Sequence, residues 1–262
     1  DITERKALEQ TVEERNRELV KAQALAAMGK MASMIAHDLR NPLSSIKMGL
    51  QIIGKQQKVD SRQAEELCHI GLQQIRYMED ILSDMLTFSK PEAVKVEWLN
   101  VDKLLDTSIG MVQQKMDQYG VHLSVRHQPG LPAFPGDISK LRQVLANLIL
   151  NAAQATEENK EGDREVYIGT MLHLGSGGTA IRFEICDNGK GIEGRDSRHL
   201  FEAFFTTKSK GTGLGLAIVQ QIVEQHQGSV ELVRREPRGA CAEVLLPTVG
   251  RTLSETVEKI DM

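Results

Sequence analysis

Four stretches of this 262-residue chain combine residue types whose spacing suits chemistry. The first is His37-Asp38-Leu39-Arg40-Asn41-Pro42. Asp38 can accept a hydrogen bond from one imidazole nitrogen. That fixes the tautomer and leaves the other nitrogen as a nucleophile. Asn41 lies one helical turn on, on a neighbouring face. Pro42 removes a helical hydrogen bond, and a proline inside a helix costs about 3 kcal/mol. That cost invites a functional reason, although a surface histidine on a kinked helix reads equally well.

The second stretch places Asn147 and Asn151 four residues apart, on one helical face. Two amide oxygens one turn apart suit a hard cation also held by phosphates, such as Mg²⁺. Taken alone, surface asparagines explain them more simply. The third is Glu184-Ile185-Cys186-Asp187-Asn188-Gly189-Lys190-Gly191-Ile192. An apolar strand ends there in an acid and two glycines. The carboxylate can accept a bond from an amino group, and the glycines let a flat ring come close. Gly189–Gly194 also fits G-x-G-x-x-G, but the long helix and acid-ended strand of a dinucleotide fold do not follow.

The fourth runs Thr206-Thr207-Lys208-Ser209-Lys210-Gly211-Thr212-Gly213-Leu214-Gly215-Leu216 into an amphipathic helix. Glycine-rich backbone at a helix N-terminus can cradle phosphates. Lys208 or Lys210 could add a charge-assisted contact. No G-x-x-x-x-G-K-[ST] occurs, so a P-loop is excluded.

These stretches need positioning elements. Residues 1–90 read as helix almost throughout, being rich in Ala, Leu, Met, Glu, Gln, Lys and Arg. Leu8, Val12, Arg15, Leu19 and Ala22 form one heptad seam. Leu25, Met28, Ala32, Ile35 and Leu39 continue it in a shifted phase. A polar turn is expected over Gly54–Val59, then a second helix with Asp60 as cap and the stripe Leu67, Gly71, Ile75, Met78, Leu82 and Met85. Pro91 ends it. Two such helices form a hairpin, and two hairpins close a four-helix bundle, so a homodimer is expected. Beyond Pro91, short alternating stretches mix with helical ones. The expectation is an α+β sandwich over 95–247, with Asp137 capping a helix and 175–178 forming a hairpin turn. Trp98 is expected to pack at the start of this domain.

Composition narrows the classes. Apolar residues make up 40 %, enough for a core. A net charge of −4 gives no basic footprint, so no nucleic-acid partner is expected. No apolar run reaches the roughly 18 residues that span a bilayer, so no membrane contact is expected of this stretch. Cys68, Cys186 and Cys241 are odd in number and far apart, and three buried or semi-buried thiols without chemistry in a reducing, cytoplasmic setting are expected. The chain starts at Asp1, which suggests a piece of a longer protein.

In this order the stretches resemble a bacterial two-component sensor histidine kinase. His37–Pro42 resembles its H-box and Leu141–Ala155 its N-box. Asp187–Gly191 and Gly211–Gly215 resemble its glycine boxes, and Phe201–Phe205 its F-box. The wording HDLRNP, NAAQA and FFTTKSKGTGLGL resembles the nitrogen-regulator subgroup, and Asp1–Lys6 resembles the exit of a PAS sensor domain.

That resemblance implies a coiled-coil linker over 1–24 and an all-α hairpin for dimerisation and phosphotransfer over 25–91. A Bergerat-type ATP-binding sandwich over 95–247 and a tail over 248–262 would follow. It implies that His37 takes the γ-phosphoryl group of ATP, with Asp38 as general base and Asn41 orienting a hydrolytic water. Mg²⁺ would sit on Asn151 and Asn147. Asp187 would read adenine. Gly189, Gly191, Thr207, Lys208, Gly211, Thr212, Gly213, Leu214 and Gly215 would surround the nucleotide. The implied partners are a response-regulator receiver domain and an upstream PAS-like sensor. Two positions depart from the usual pattern. Gln154 and Ala155 stand where many members have a basic residue and an aromatic, and Gly239–Glu243 lacks a usual Phe. A gyrase-like or chaperone-like clamp shares the later boxes but has no need of His37-Asp38, and a degenerate, non-enzymatic scaffold would share the fold.

Overall fold

The computed structural model describes residues 15, 29, 35–54, 60–89, 93–160, 162–175, 178–192, 199–206, 208 and 211–249. The expected linker over 1–24 therefore lies outside the described residues, apart from Arg15. So do the turn at 55–59, residues 90–92, Thr207 and most of the C-terminal tail. The chain divides into two compact units. One holds the described residues before Ala93 together with Lys208 and residues 211–214, and the other holds the rest.

The first unit is a helical hairpin. Helix α1 covers 35–54 and runs through Pro42, which is buried. Helix α2 spans Ser61–Ser89. The helices approach closely at Gly49, where an added Cβ would lie 3.8 Å from Leu67 Cδ2. On α2 the partly or fully buried positions Leu67, Gly71, Met78, Ile81 and Met85 step by four, seven, three and four. Ile75 and Leu82, expected on the same stripe, are exposed. They join Leu72 and Leu86 on a second apolar face. A heptad pattern with two faces cannot bury both within one hairpin.

The second unit layers helices on a mixed sheet. Its elements are β1 (Glu97–Leu99), α3 (Val101–Tyr119), β2 (His122–His127), β3 (Phe134–Gly136), α4 (Ile138–Ala155), β4 (Glu165–Gly175), β5 (Gly178–Asp187), α5 (Gly215–Gln225), β6 (Ser229–Arg234) and β7 (Ala240–Pro247). The five-stranded sheet has the order β2-β4-β5-β7-β6. Only β2 and β4 pair in parallel. Strands β1 and β3 make a separate two-stranded sheet. Where a turn is expected over 175–178, Gly175 of β4 pairs with Gly178 of β5, and residues 176 and 177 lie outside the described residues.

Local chemistry fixes the helix ends. The Asn100 carboxamide accepts the Lys103 N–H, and Gly120 closes α3 with φ 63°. The Asp137 carboxylate accepts the Ser139 and Lys140 N–H groups at the start of α4. Apolar faces then meet. Ile168, Ile181, Phe183, Ile185, Val244 and Leu246 from the sheet are fully or nearly fully buried, as are Leu148, Ile149, Ile218 and Val223 from α4 and α5. Each such side chain contributes about 1.5–3 kcal/mol relative to exposure. Phe134 and Phe183 pack edge to face at 6.1 Å.

Two expectations are corrected here. Trp98 does not pack into the core, being 58 % exposed. Strand alternation explains this, because Leu99 takes the inward position and turns its neighbour out. Nor are all three cysteines free thiols. The register places Cys186 on β5 directly opposite Cys241 on β7, and their sulfurs are bonded. Cys68 is free but exposed, not buried or semi-buried as expected, because it lies off the buried stripe of α2.

Candidate active site

His37 projects from α1 with its side chain 68 % exposed. Its Nδ1 lies 3.2 Å from Asp38 Oδ1. An ionised carboxylate can only accept, so this contact puts the ring proton on Nδ1 and leaves the Nε2 lone pair unprotonated. Asn41 Nδ2 lies 3.5 Å from the same nitrogen, at the outer limit of a hydrogen bond. The shorter, charge-assisted contact sets the tautomer. Helical geometry alone brings the three together, since Asn41 is one turn from His37. On α2, burial pushes the Tyr77 hydroxyl above its ordinary pKa, and the Asp38 charge pushes the same way.

The glycine-rich segment divides between the units. Residues 211–214 group with the helical hairpin. There the Thr212 hydroxyl donates to Asp84 Oδ2 at 3.1 Å and accepts the Leu214 N–H at 3.1 Å. Burial pushes the Asp84 carboxyl above its usual pKa, against the Thr212 hydrogen bond. Gly213 has φ 65°, which a side chain would resist. Lys208 is exposed.

In the second unit, Asn147, Asn151 and Gly215 come together. An added Cβ on Gly215 would sit 4.0 Å from both amide nitrogens, and Asn147 Nδ2 lies 3.5 Å from the Gly215 carbonyl. Helix α4 thus presents two amides to the first turn of α5.

Asp187 ends β5 and is 5 % exposed. Its Oδ1 accepts the Gly189 N–H at 2.8 Å and the Ala240 N–H at 3.3 Å. Both land on one oxygen, which leaves Oδ2 to meet a ligand donor. Burial raises the carboxyl pKa, and the two N–H groups and Arg235 oppose that rise. The surrounding floor is backbone. A Cβ on Gly189 would lie 2.2 Å from the Ala155 carbonyl oxygen. One on Gly239 would lie 2.0 Å from the Asp187 carbonyl oxygen, where φ is already 107°. Gly191, with φ 78°, faces the Gly239 carbonyl. Such a cradle fits a flat ring beside an acceptor.

Two family descriptions match this chain. "His Kinase A (phospho-acceptor) domain" covers residues 27–94, and "Histidine kinase-, DNA gyrase B-, and HSP90-like ATPase" covers 136–250. The first takes in His37 and the second takes in Asn147, Asn151 and Asp187. The chain belongs to the sensor histidine kinases. Sensor histidine kinase ZraS of Escherichia coli K12 is 33 % identical over 230 residues, which are 88 % of this chain and 48 % of that protein. Sporulation kinase A of Bacillus subtilis is 30 % identical over 249 residues, 94 % of this chain and 38 % of that protein. The chain therefore spans about half or less of these relatives. Among solved structures, histidine kinase ThkA in complex with response regulator TrrA superposes with a TM-score of 0.74 at 22 % identity, over 90 % of this chain and 66 % of that one. Acinetobacter baumannii histidine kinase AdeS gives 0.60 at 21 %, over 82 % and 98 %. At those identities the likeness is one of fold.

For a histidine kinase, several residues around the site carry no motif of their own. The Ala155 carbonyl accepts the Lys190 N–H at 3.3 Å, tying the end of α4 to the loop after Asp187. Asn188 turns away from any ligand role. Its amide donates to the Asp163 carbonyl, and its oxygen accepts from the Glu165 N–H and from Asn159. Ala240 reaches Asp187 through backbone alone, a partner that side-chain spacing cannot signal.

Proposed function

We propose that this chain is the catalytic core of a protein histidine kinase. It transfers the γ-phosphoryl group of ATP to His37 Nε2 and passes it on to an aspartate of a response-regulator receiver domain. The observation that carries this reading is the exposed His37 imidazole, whose Nδ1 is committed to Asp38, on a chain that also holds a histidine kinase-like ATPase fold. Phosphoryl transfer needs positioning and charge neutralisation more than covalent chemistry from the protein. Asp38 stabilises the positive charge that develops on the ring as Nε2 attacks. Asp187 accepts the adenine amino group, and the Gly189, Gly191 and Gly239 backbone admits the ring.

Asn147 and Asn151 would hold Mg²⁺. Their amides, one turn apart at the first turn of α5, suit a hard cation that phosphates also hold. Mg²⁺ would supply charge neutralisation at the phosphates. Thr207, Lys208, Gly211, Thr212, Gly213 and Leu214 are assigned to nucleotide contact from the glycine-box pattern. Asn41 is assigned to orienting water in response-regulator dephosphorylation. The exposed second face of α2 supports a homodimer. An upstream PAS-like sensor is proposed from the sequence at 1–6. No helix among the described residues is long and apolar enough to cross a membrane, and a cytoplasmic site of action is proposed.

The test is incubation with γ-labelled ATP and Mg²⁺, followed by acid and base challenge. Label that is lost in acid and kept in base identifies phosphohistidine. His37→Gln should abolish labelling and keep nucleotide binding. Acid-labile label retained in that variant would refute the assignment.

A further inference from the structure

The Cys186–Cys241 bond joins two strands that adjoin the adenine-reading carboxylate. Cys186 directly precedes Asp187, and Cys241 directly follows Ala240, whose N–H donates to Asp187 Oδ1. The covalent link and this hydrogen bond are therefore consecutive rungs between β5 and β7. The residue just before β7 is Gly239, where an added Cβ would lie 2.0 Å from the Asp187 carbonyl oxygen. Few positions in the sheet bear so directly on where that carboxylate sits.

The pair lies on the sheet face opposite the helices. On β5 the side chains of Ile181, Phe183 and Ile185 point into the helix-covered core, so Arg182, Glu184 and Cys186 point to the other face. The register continues Cys186 to Tyr167 on β4 and Cys241 to Val233 on β6. Next along the strands, Arg182 bridges Glu184 and Glu243 at 3.0 and 2.6 Å. Both cysteines lie on the sheet face away from the helices and are buried there, 6 % and 7 % exposed.

We propose that Cys186 and Cys241 are a reversible dithiol–disulfide site that tunes nucleotide affinity, with a low-molecular-weight disulfide such as oxidised glutathione as oxidant. One cysteine thiolate attacks a sulfur of the oxidant and expels one thiolate, giving a mixed disulfide. The second cysteine thiolate attacks the protein sulfur of that bond and expels the other. Two electrons pass to the oxidant. The two cysteine protons end on the released thiols. In the oxidised protein the link fixes β5 against β7 and so preorganises Asp187. Reduction frees that end of the strand pair, and nucleotide binds several-fold more weakly. This rests on the ATP-site reading above.

The test equilibrates the intact chain in buffers of graded reduced to oxidised glutathione, then blocks thiols with maleimide. Trypsin releases Cys186 within 183–190 and Cys241 within 239–251, so the bond appears as one linked peptide by mass spectrometry. Cys68, on a separate peptide, is the internal thiol control. A fluorescent ADP analogue reads affinity at each ratio. The expected result is a linked peptide that forms and disappears with the ratio, with affinity falling several-fold on reduction. Cys241→Ala should bind like the reduced chain at every ratio. Absence of the linked peptide at all ratios overturns the proposal. A linked peptide with unchanged affinity overturns the coupling and leaves the ATP reading intact. Linked peptide without nucleotide binding in either state overturns both.

Discussion

The Asp137 backbone N–H donates to His226 Nε2 at 2.9 Å, across 89 residues of sequence. The other ring nitrogen, Nδ1, donates to the Ile222 carbonyl at 2.7 Å. Both nitrogens are committed, and the ring is neutral. Burial holds the His226 pKa below its ordinary value; the Ile222 bond and Asp137 charge work upward against it, and Lys140 works downward. An unfolded chain takes up this proton near pH 6.5, whereas the native chain refuses it until lower pH. Stability is therefore complete above about pH 6.5 and is lost as pH falls toward the lower native value. Thermal midpoints recorded between pH 7.5 and 5 should drop, and His226→Gln should start lower and fall less over that range. A flat wild-type profile would contradict the geometry.

Asp137 adds a second acid-sensitive step. Burial disfavours its charge, but the Lys95, Lys140 and Ser139 N–H groups and the Lys140 ammonium outweigh burial and lower its pKa. Its contribution is present above the ordinary carboxylate pKa and lost as pH falls below it. Asp137→Ala removes an N-cap, which typically costs about 1 kcal/mol. Because the Lys95 N–H also loses its acceptor, a larger loss is expected in urea unfolding of this variant.

Asp187→Asn should preserve the fold and weaken nucleotide binding. The amide oxygen can still take the Gly189 and Ala240 N–H groups, but the ligand's amino group then faces an NH₂. Losing a charge-assisted hydrogen bond costs about 1.5–3 kcal/mol, or roughly 10- to 150-fold in affinity. Titration with a fluorescent nucleotide reads this directly. Affinity equal to wild type would remove Asp187 from the site.

Two glycines should respond in opposite directions. Gly239→Ala places a Cβ 2.0 Å from the Asp187 carbonyl oxygen at positive φ, so backbone must move. Overpacking of this kind costs about 1–3 kcal/mol, before the left-handed penalty. Gly110 lies on an exposed position of α3, with nothing within 4 Å of its added Cβ. Gly110→Ala should stabilise the chain by about 0.8–1 kcal/mol. Chemical denaturation curves compare the two.

Leu72, Ile75, Leu82 and Leu86 form an exposed apolar stripe on α2 with steps of three, seven and four. A proposed second hairpin would cover it. Ile75→Glu combined with Leu82→Glu should convert dimer to monomer in light-scattering chromatography, with helix content kept. A dimer that survives both charges would mean that another surface holds it together.

Much of this arrangement is legible in the sequence because it is local. The Asp137 cap, the pairing of Asn147 with Asn151 and the neighbours His37, Asp38 and Asn41 all follow from helical spacing. What is not legible depends on strand register between distant segments. Cys186 and Cys241 are 55 residues apart, and only the antiparallel alignment of β5 with β7 makes them opposite. The same alignment brings Ala240 to Asp187. Trp98 is a further case: hydrophobicity argued for burial, but strand alternation puts it on the face opposite Leu99, and Leu99 is the buried one. Likewise Ile75 and Leu82 follow a correct period, yet period alone does not choose between the two apolar faces of α2.

The parallel pairing of β2 with β4 has a kinetic consequence. These neighbours cannot meet through a tight turn, and helix α4 lies between them in sequence. Strand β7, the last described strand, must then insert between β5 and β6, so it completes the sheet beside its β6 edge. Contacts this distant in sequence form slowly, whereas a helical hairpin forms from near neighbours. On a ribosome the hairpin is made first, and the sheet stays open at β5 until the last strand has emerged. Truncation just before Ala240 should therefore leave a folded hairpin attached to a sheet with an unsatisfied edge, a species prone to aggregate.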